Sequence, residues 1–193
     1  MWVEGQIDTV VMFDAEQCPN PVPQGYAACM GYAGGSSAAH AWTPEEWARV
    51  AHLPRLPVWV PTPGQDNPRQ AALAFAHRLA ELGVPRADQN GGRHVRCLWD
   101  LETGTEPDPG WLDIAADALH SRGYFSLSYG STSWAFGQTK RAGYFPADPT
   151  GHPHLYDHDY VVGTQYAWGV RTDGGIVDES LITTDLLPNL WMP

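Results

Sequence analysis

Apolar residues fall along this chain in short runs, separated by segments whose apolar positions recur at helical spacing. Residues 9–14 (TVVMFD) and 27–34 (AACMGYAG) have the length and composition of buried strands. A helix is predicted next over TPEEWARVAHL (43–53), where Thr43 is a good N-cap and Glu46 completes a capping box. PVWVPTP (57–63) reads as the third strand, with proline at its rims. The following helix opens at Asn67 with Pro68 in its first turn and closes at Gly83. Leu73, Ala76 and Ala80 are its expected apolar stripe.

HVRCLWDLE (94–102) is the fourth predicted strand, followed by a helix over PGWLDIAADALHSRG (109–123). That helix carries Leu112, Ala115, Ala116 and Leu119 on one face and stops at Gly123. YFSLSYGS (124–131) is strand five, and further strands near 143–147, 160–168 and 175–177 leave little room for full helices between them. Strand–helix alternation predicts parallel strands joined by right-handed crossovers. Eight candidate strands favour a TIM-like (β/α)8 barrel, incomplete, with helices missing in the last third, since a full one takes about 250 residues. A doubly wound sheet is the alternative, but it announces itself by a glycine-rich phosphate turn after the first strand, where DAEQCPNP stands here. GYAGGSS after strand two lacks the Lys-Ser/Thr of a P-loop, so it reads as a loop passing close to a ligand or another strand. Without repeats or a linker, residues 1–193 are expected to form a single domain.

The 193 residues are 43% hydrophobic and include nine tryptophans, enough for a substantial core. A formal charge of -11 opposes an electrostatic grip on nucleic acid or an anionic membrane. The N-terminal MWVEGQIDTVVMFD shows no visible signal peptide, and no run approaches the roughly 18 apolar residues of a membrane span. Cytoplasmic synthesis without membrane insertion is expected. Of the three cysteines, Cys97 reads as a buried core thiol, while Cys18 and Cys29 are open to pairing. HPHLYDHD (152–159) gathers three histidines and two aspartates. A metal would need three or four of them convergent with supporting contacts, and the loop setting favours a solvated turn. Neither a metal nor a cofactor is expected. Ser126, Ser128 and Ser131 lack the G-x-S-x-G elbow of a serine hydrolase.

The chemistry gathers in carboxylates. Asp100 and Glu102 leave the same face of a strand, about 7 Å apart along the backbone. Asp14 and Asp178 close the first and last apolar runs, which are neighbours if the barrel closes. In such a barrel, reactive groups sit at the C-terminal ends of the strands. Carboxyls crowded beside apolar walls resist ionisation, a property useful to an acid–base catalyst.

VVMFD, CLWDLETG, YFSLSYGS, GTQYAW and GGIVDES, in this order over nearly the whole chain, resemble the landmarks of the family 25 glycoside hydrolases. The chain is most similar to the glycoside-hydrolase-like barrels of actinobacteria and their phages. The resemblance implies an incomplete (β/α)8 barrel that cleaves the β-1,4 bond after N-acetylmuramic acid in peptidoglycan, at the bacterial wall or as part of a larger phage or wall-penetrating assembly. It implies that Glu102 is the general acid/base, its acidity lowered by Asp100 and by burial against Trp99. Asp100 would be nucleophile or orient the substrate acetamide for internal attack, with Asp14 and Asp178 as outer acids. Sugar contacts are expected from Tyr32, Trp99, Tyr129, Trp134, Asp148, Gln165, Tyr166 and Trp168. Two stretches depart from the family pattern: GYAGGSSAAH, and a final DES where Asp-x-Asn is frequent. With the acidic charge, they motivate the alternative of a catalytically silent glycan-binding or structural barrel.

Overall fold

Eight strands close into one barrel in chain order: β1 (Thr9–Asp14), β2 (Ala28–Gly34), β3 (Arg55–Trp59), β4 (Val95–Asp100), β5 (Tyr124–Ser131), β6 (Tyr144–Ala147), β7 (Gly163–Thr172) and β8 (Gly175–Thr183). The computed structural model describes residues 7–62, 64–102, 109–137 and 143–192. Helices α1 (Pro44–Arg49), α2 (Pro68–Glu81), α3 (Pro109–His120) and the short α4 (Thr132–Gly137) follow β2 to β5 in turn. Among the described residues no α-helix follows β6, β7 or β8, and β1 passes to β2 through a loop.

Alternation along the strands sorts the apolar residues into two layers. Met12, Met30, Leu56, Val58, Leu98, Leu127, Phe145 and Ile182 fill the barrel interior. Phe13, Cys29, Cys97 and Trp99, one residue out of phase, face the helices and meet Phe75 and Leu79 of α2 and Trp111, Leu112 and Leu119 of α3. The capping box of α1 is formed in full by Thr43 and Glu46, and the Asn67 side chain caps α2 by accepting from the backbone of Arg69 and Gln70. Gly83, at φ +78°, ends α2 in a conformation that an L side chain resists.

Three expectations are corrected. The α2 stripe is rotated by one residue: Ala72, Phe75, Ala76 and Leu79 are buried, while Leu73 is 42% exposed and Ala80 faces solvent. Phe75 is the bulkiest apolar side chain on that helix and decides which face turns inward. The third strand begins at Arg55 and ends at Trp59, earlier than the proline-bounded run suggests. Finally, β8 is not parallel to its neighbours but antiparallel to both β7 and β1. The connection from Thr172 to Gly175 is a two-residue turn, with the Thr172 hydroxyl donating to Gly175 O at 2.9 Å. Such a turn permits only an antiparallel return, because a parallel one needs a crossover of about a dozen residues.

Cys18, Cys29 and Cys97 are all buried and unpaired. Among the described residues no helix is long and apolar enough to cross a membrane.

Candidate active site

The reversed direction of β8 determines where its acid lies. β1 runs towards the rim and ends at Asp14, while β8 starts from that rim, and Asp14 pairs directly with Asp178. Asp100 ends β4, opposite Tyr129 of β5, and Glu102 follows two residues later, its backbone N–H donating to Asp100 Oδ1 at 3.1 Å. Asp14, Asp100 and Asp178 line a cavity of about 300 Å³ with Tyr32, Glu16 and His40. All four acids therefore meet at one end of the barrel.

Burial and mutual repulsion hold protons on this cluster. Burial first, then the charge of Asp178, pushes Asp14 up to about 8, against a hydrogen bond from Gln165. Glu102 is raised to about 7, again first by burial and then by Asp100. As a residue it is more open to solvent than the other three acids, yet its carboxyl stands among them. Asp100 rises less, to about 6, because the Glu102 N–H favours its anion. Asp178 is also raised by burial, with the Gly169 N–H donating to its Oδ1 at 2.7 Å and opposing the rise.

Gln165 of β7 ties the cluster together. It is 2% exposed, and its Nε2 donates to Asp14 at 3.2 Å and to Asp178 at 3.3 Å. Its Oε1 accepts from the Tyr129 hydroxyl and from Trp168 Nε1, the latter at 2.7 Å. The Trp168 ring is 59% exposed above this network, available to a ligand. Tyr32 stands in the cavity wall, its phenol kept protonated by burial and by the acids.

Other expected contacts lie elsewhere. Trp99 is fully buried on the outer face of β4, packed edge-on against Phe75 and Trp111 at centroid distances of 5.2 and 5.7 Å. It faces away from Asp100, so the barrel interior, not the indole, desolvates the acids. Tyr166, next to Gln165, also points out of the barrel and donates to Glu179 at 2.8 Å, which Tyr26 also engages at 2.6 Å. Asp148 follows β6 at the rim, but its carboxylate is engaged by His154 at 3.0 Å. Trp134 lies in α4, and its side chain is outside the described residues. In the histidine-rich loop, His158 stacks on Phe136 at 4.1 Å, and among the described residues no three metal-binding side chains converge.

The sequence reading did not name Glu16, Ser37 or His40, which line the same cavity. The glycine-rich loop after β2 carries Ser37 there: a Cβ on Gly35 (φ +135°) would come within 2.1 Å of Val60 O, so only glycine lets the loop lie against the end of β3. His40 Nε2 meets the Glu46 carboxylate at 2.9 Å, tying this wall to the α1 cap.

The same architecture occurs in solved structures. A bacterial lysozyme from Streptomyces coelicolor superposes with a TM-score of 0.67 at 15% identity, over 96% of this chain and 98% of that one. The likeness is one of fold. The catalytic domain of the endolysin ply40 from bacteriophage P40 of Listeria monocytogenes gives 0.66 at 14% identity, over 95% and 98% of the two chains. An uncharacterized Bacillus stearothermophilus protein gives 0.72 at 17% identity, over 94% and 100%. No protein-family model matches the sequence, and a search of curated proteins finds no match.

Proposed function

We propose that this protein is a glycoside hydrolase of muramidase type, cutting the β-1,4 bond after N-acetylmuramic acid in peptidoglycan. The observation that carries the reading is the convergence of Asp14, Asp100, Glu102 and Asp178 at one end of the barrel, where burial raises Asp100 to about 6 and Glu102 to about 7. At neutral pH Asp100 is mostly ionised while Glu102 retains a substantial share of its proton. Glu102 then protonates the departing sugar oxygen, and its conjugate base activates the incoming water. Asp100 serves the other half of the reaction, as nucleophile or by orienting the substrate acetamide. Asp14, largely protonated, and Asp178 bind sugar hydroxyls, with Gln165, Tyr32, Tyr129 and Trp168 shaping the bed. The fold shared with a lysozyme and an endolysin catalytic domain supports the choice of substrate. Its place of action in this reading is the bacterial wall or a phage or wall-associated assembly.

The test is reducing-sugar release from peptidoglycan by wild type and Glu102→Gln. A positioned acid–base group contributes roughly 10²–10⁴-fold, so the variant should fall by about that factor. Equal release from both proteins would remove Glu102 from the mechanism. Saturable binding of wall fragments by the wild type without any release would leave a glycan-binding barrel.

A further inference from the structure

At the opposite end of the barrel, β4 begins with an inward-facing cation. Arg96 lies two residues before Leu98 on the interior face, and its guanidinium covers the Phe125 ring at 4.0 Å from the centroid. Among the described residues it has no carboxylate or hydrogen-bonding partner. It lines a cavity of about 320 Å³, walled by Phe125, Val162 and Leu186 and rimmed by Tyr160 and Asp185. A partly enclosed guanidinium without an anion is unfavourable, since its lost hydration is not replaced. Burial accordingly lowers the pKa of Arg96.

Tyr160 is a second, independent sign. It is 79% exposed and, among the described residues, the only non-glycine in the left-handed region, at φ 66°. That conformation costs about 1 kcal/mol or more for an ordinary side chain. Here it places an exposed aromatic ring at the cavity mouth.

The lining selects the ligand. A guanidinium presents its N–H groups as a planar fork that matches a carboxylate, and the Phe125 ring covers one face while leaving those edges free. Phe125, Leu127, Val162 and Leu186 make most of the wall, with Thr183 and Asn189 its polar exceptions, so the remainder of the ligand should be largely hydrocarbon. Asp185 on the rim repels a second negative charge. We infer that the N-terminal end of the barrel holds a second binding site, for a small monoanionic carboxylate with an aromatic or branched apolar body. This site is independent of the acidic rim and of the reaction proposed there.

The probe is sodium benzoate, titrated into uniformly labelled protein and followed by amide NMR shifts, with benzyl alcohol and inorganic phosphate as controls. Saturable shifts are expected at Phe125, Val162 and Leu186 and not at the acidic rim, with benzoate bound more tightly than either control. Arg96→Met should weaken benzoate about tenfold or more, the usual contribution of a charge-assisted pair. It should leave the Tm unchanged or higher, because it removes an unpaired charge. Asp185→Asn, on the exposed rim, should tighten benzoate. The inference is overturned by equal binding of benzyl alcohol, tighter binding of phosphate, shifts at the acids, or unchanged affinity in either variant. Failure of Arg96→Met to fold would also overturn it, by making the arginine structural.

Discussion

Gln165 donates through one amide nitrogen to both Asp14 and Asp178, at 3.2 and 3.3 Å, bridging acids on strands that run in opposite directions. Its oxygen accepts from Tyr129 and Trp168, so all four hydrogen-bonding capacities of the amide are used and its orientation is unambiguous. Gln165→Leu should raise the Asp14 pKa further, because the hydrogen bond that favours the anion disappears. Carboxyl titration by carbon NMR measures this directly. The variant should also lose about 1–3 kcal/mol of stability for each buried group left without a partner.

The same cluster makes stability depend on pH. Asp14 has an ordinary value of 3.8 when unfolded and about 8 when folded, so the folded state binds more protons between those values. Its contribution is therefore fully present below about pH 4 and is lost as pH rises towards 8. Over that window Asp14→Asn should flatten the fall in stability. At pH 8 it should be more stable than the wild type by an amount on the order of a few kcal/mol. Urea unfolding of both proteins at intervals across the window checks the sign. A variant that falls as steeply as the wild type would show that Asp14 ionises freely.

Activity on peptidoglycan should follow a narrow bell. The acid limb near 6 tracks ionisation of Asp100 and the alkaline limb near 7 tracks loss of the Glu102 proton, both as apparent values of a coupled pair. Asp178 raises Glu102 but is not among the causes acting on Asp100. Asp178→Asn should therefore move the alkaline limb to lower pH by more than it moves the acid limb. Parallel movement of both limbs would contradict this assignment.

Much of this arrangement is legible in the sequence, and the misses have physical causes. Run lengths and caps locate the strands and helices, because a capping box such as Thr43–Glu46 is local chemistry. The direction of β8 depends on the turn before it: Asp173-Gly174 between two apolar runs is a hairpin signal that contradicts a parallel reading. Asp178 reaches the rim because β8 starts there, not because it ends there. Gln165 stands 151 positions from Asp14 in the chain, a relationship that spacing does not encode. Strand alternation does encode the sidedness of Trp99 and Tyr166, since each is next to a residue that faces the cleft.

Trp99 separates stability from binding. It is fully buried between β4 and the helices, and among the described residues its indole N–H has no partner. Trp99→Phe leaves a space beside Phe75 and Trp111, which by the cost of core cavities should destabilise the protein by about 1–3 kcal/mol, moderated by removal of the unpaired donor. Because the ring lies on the far side of the strand from Asp100, affinity for wall fragments should be unchanged at temperatures where the variant is folded. Trp168→Ala offers the contrast: its ring is exposed above Gln165, so the substitution should weaken binding with little loss of Tm. Calorimetric titration with soluble wall fragments and a thermal melt of each variant would measure both effects. A drop in affinity for Trp99→Phe equal to that for Trp168→Ala would place the buried indole in contact with ligand, against the geometry of β4.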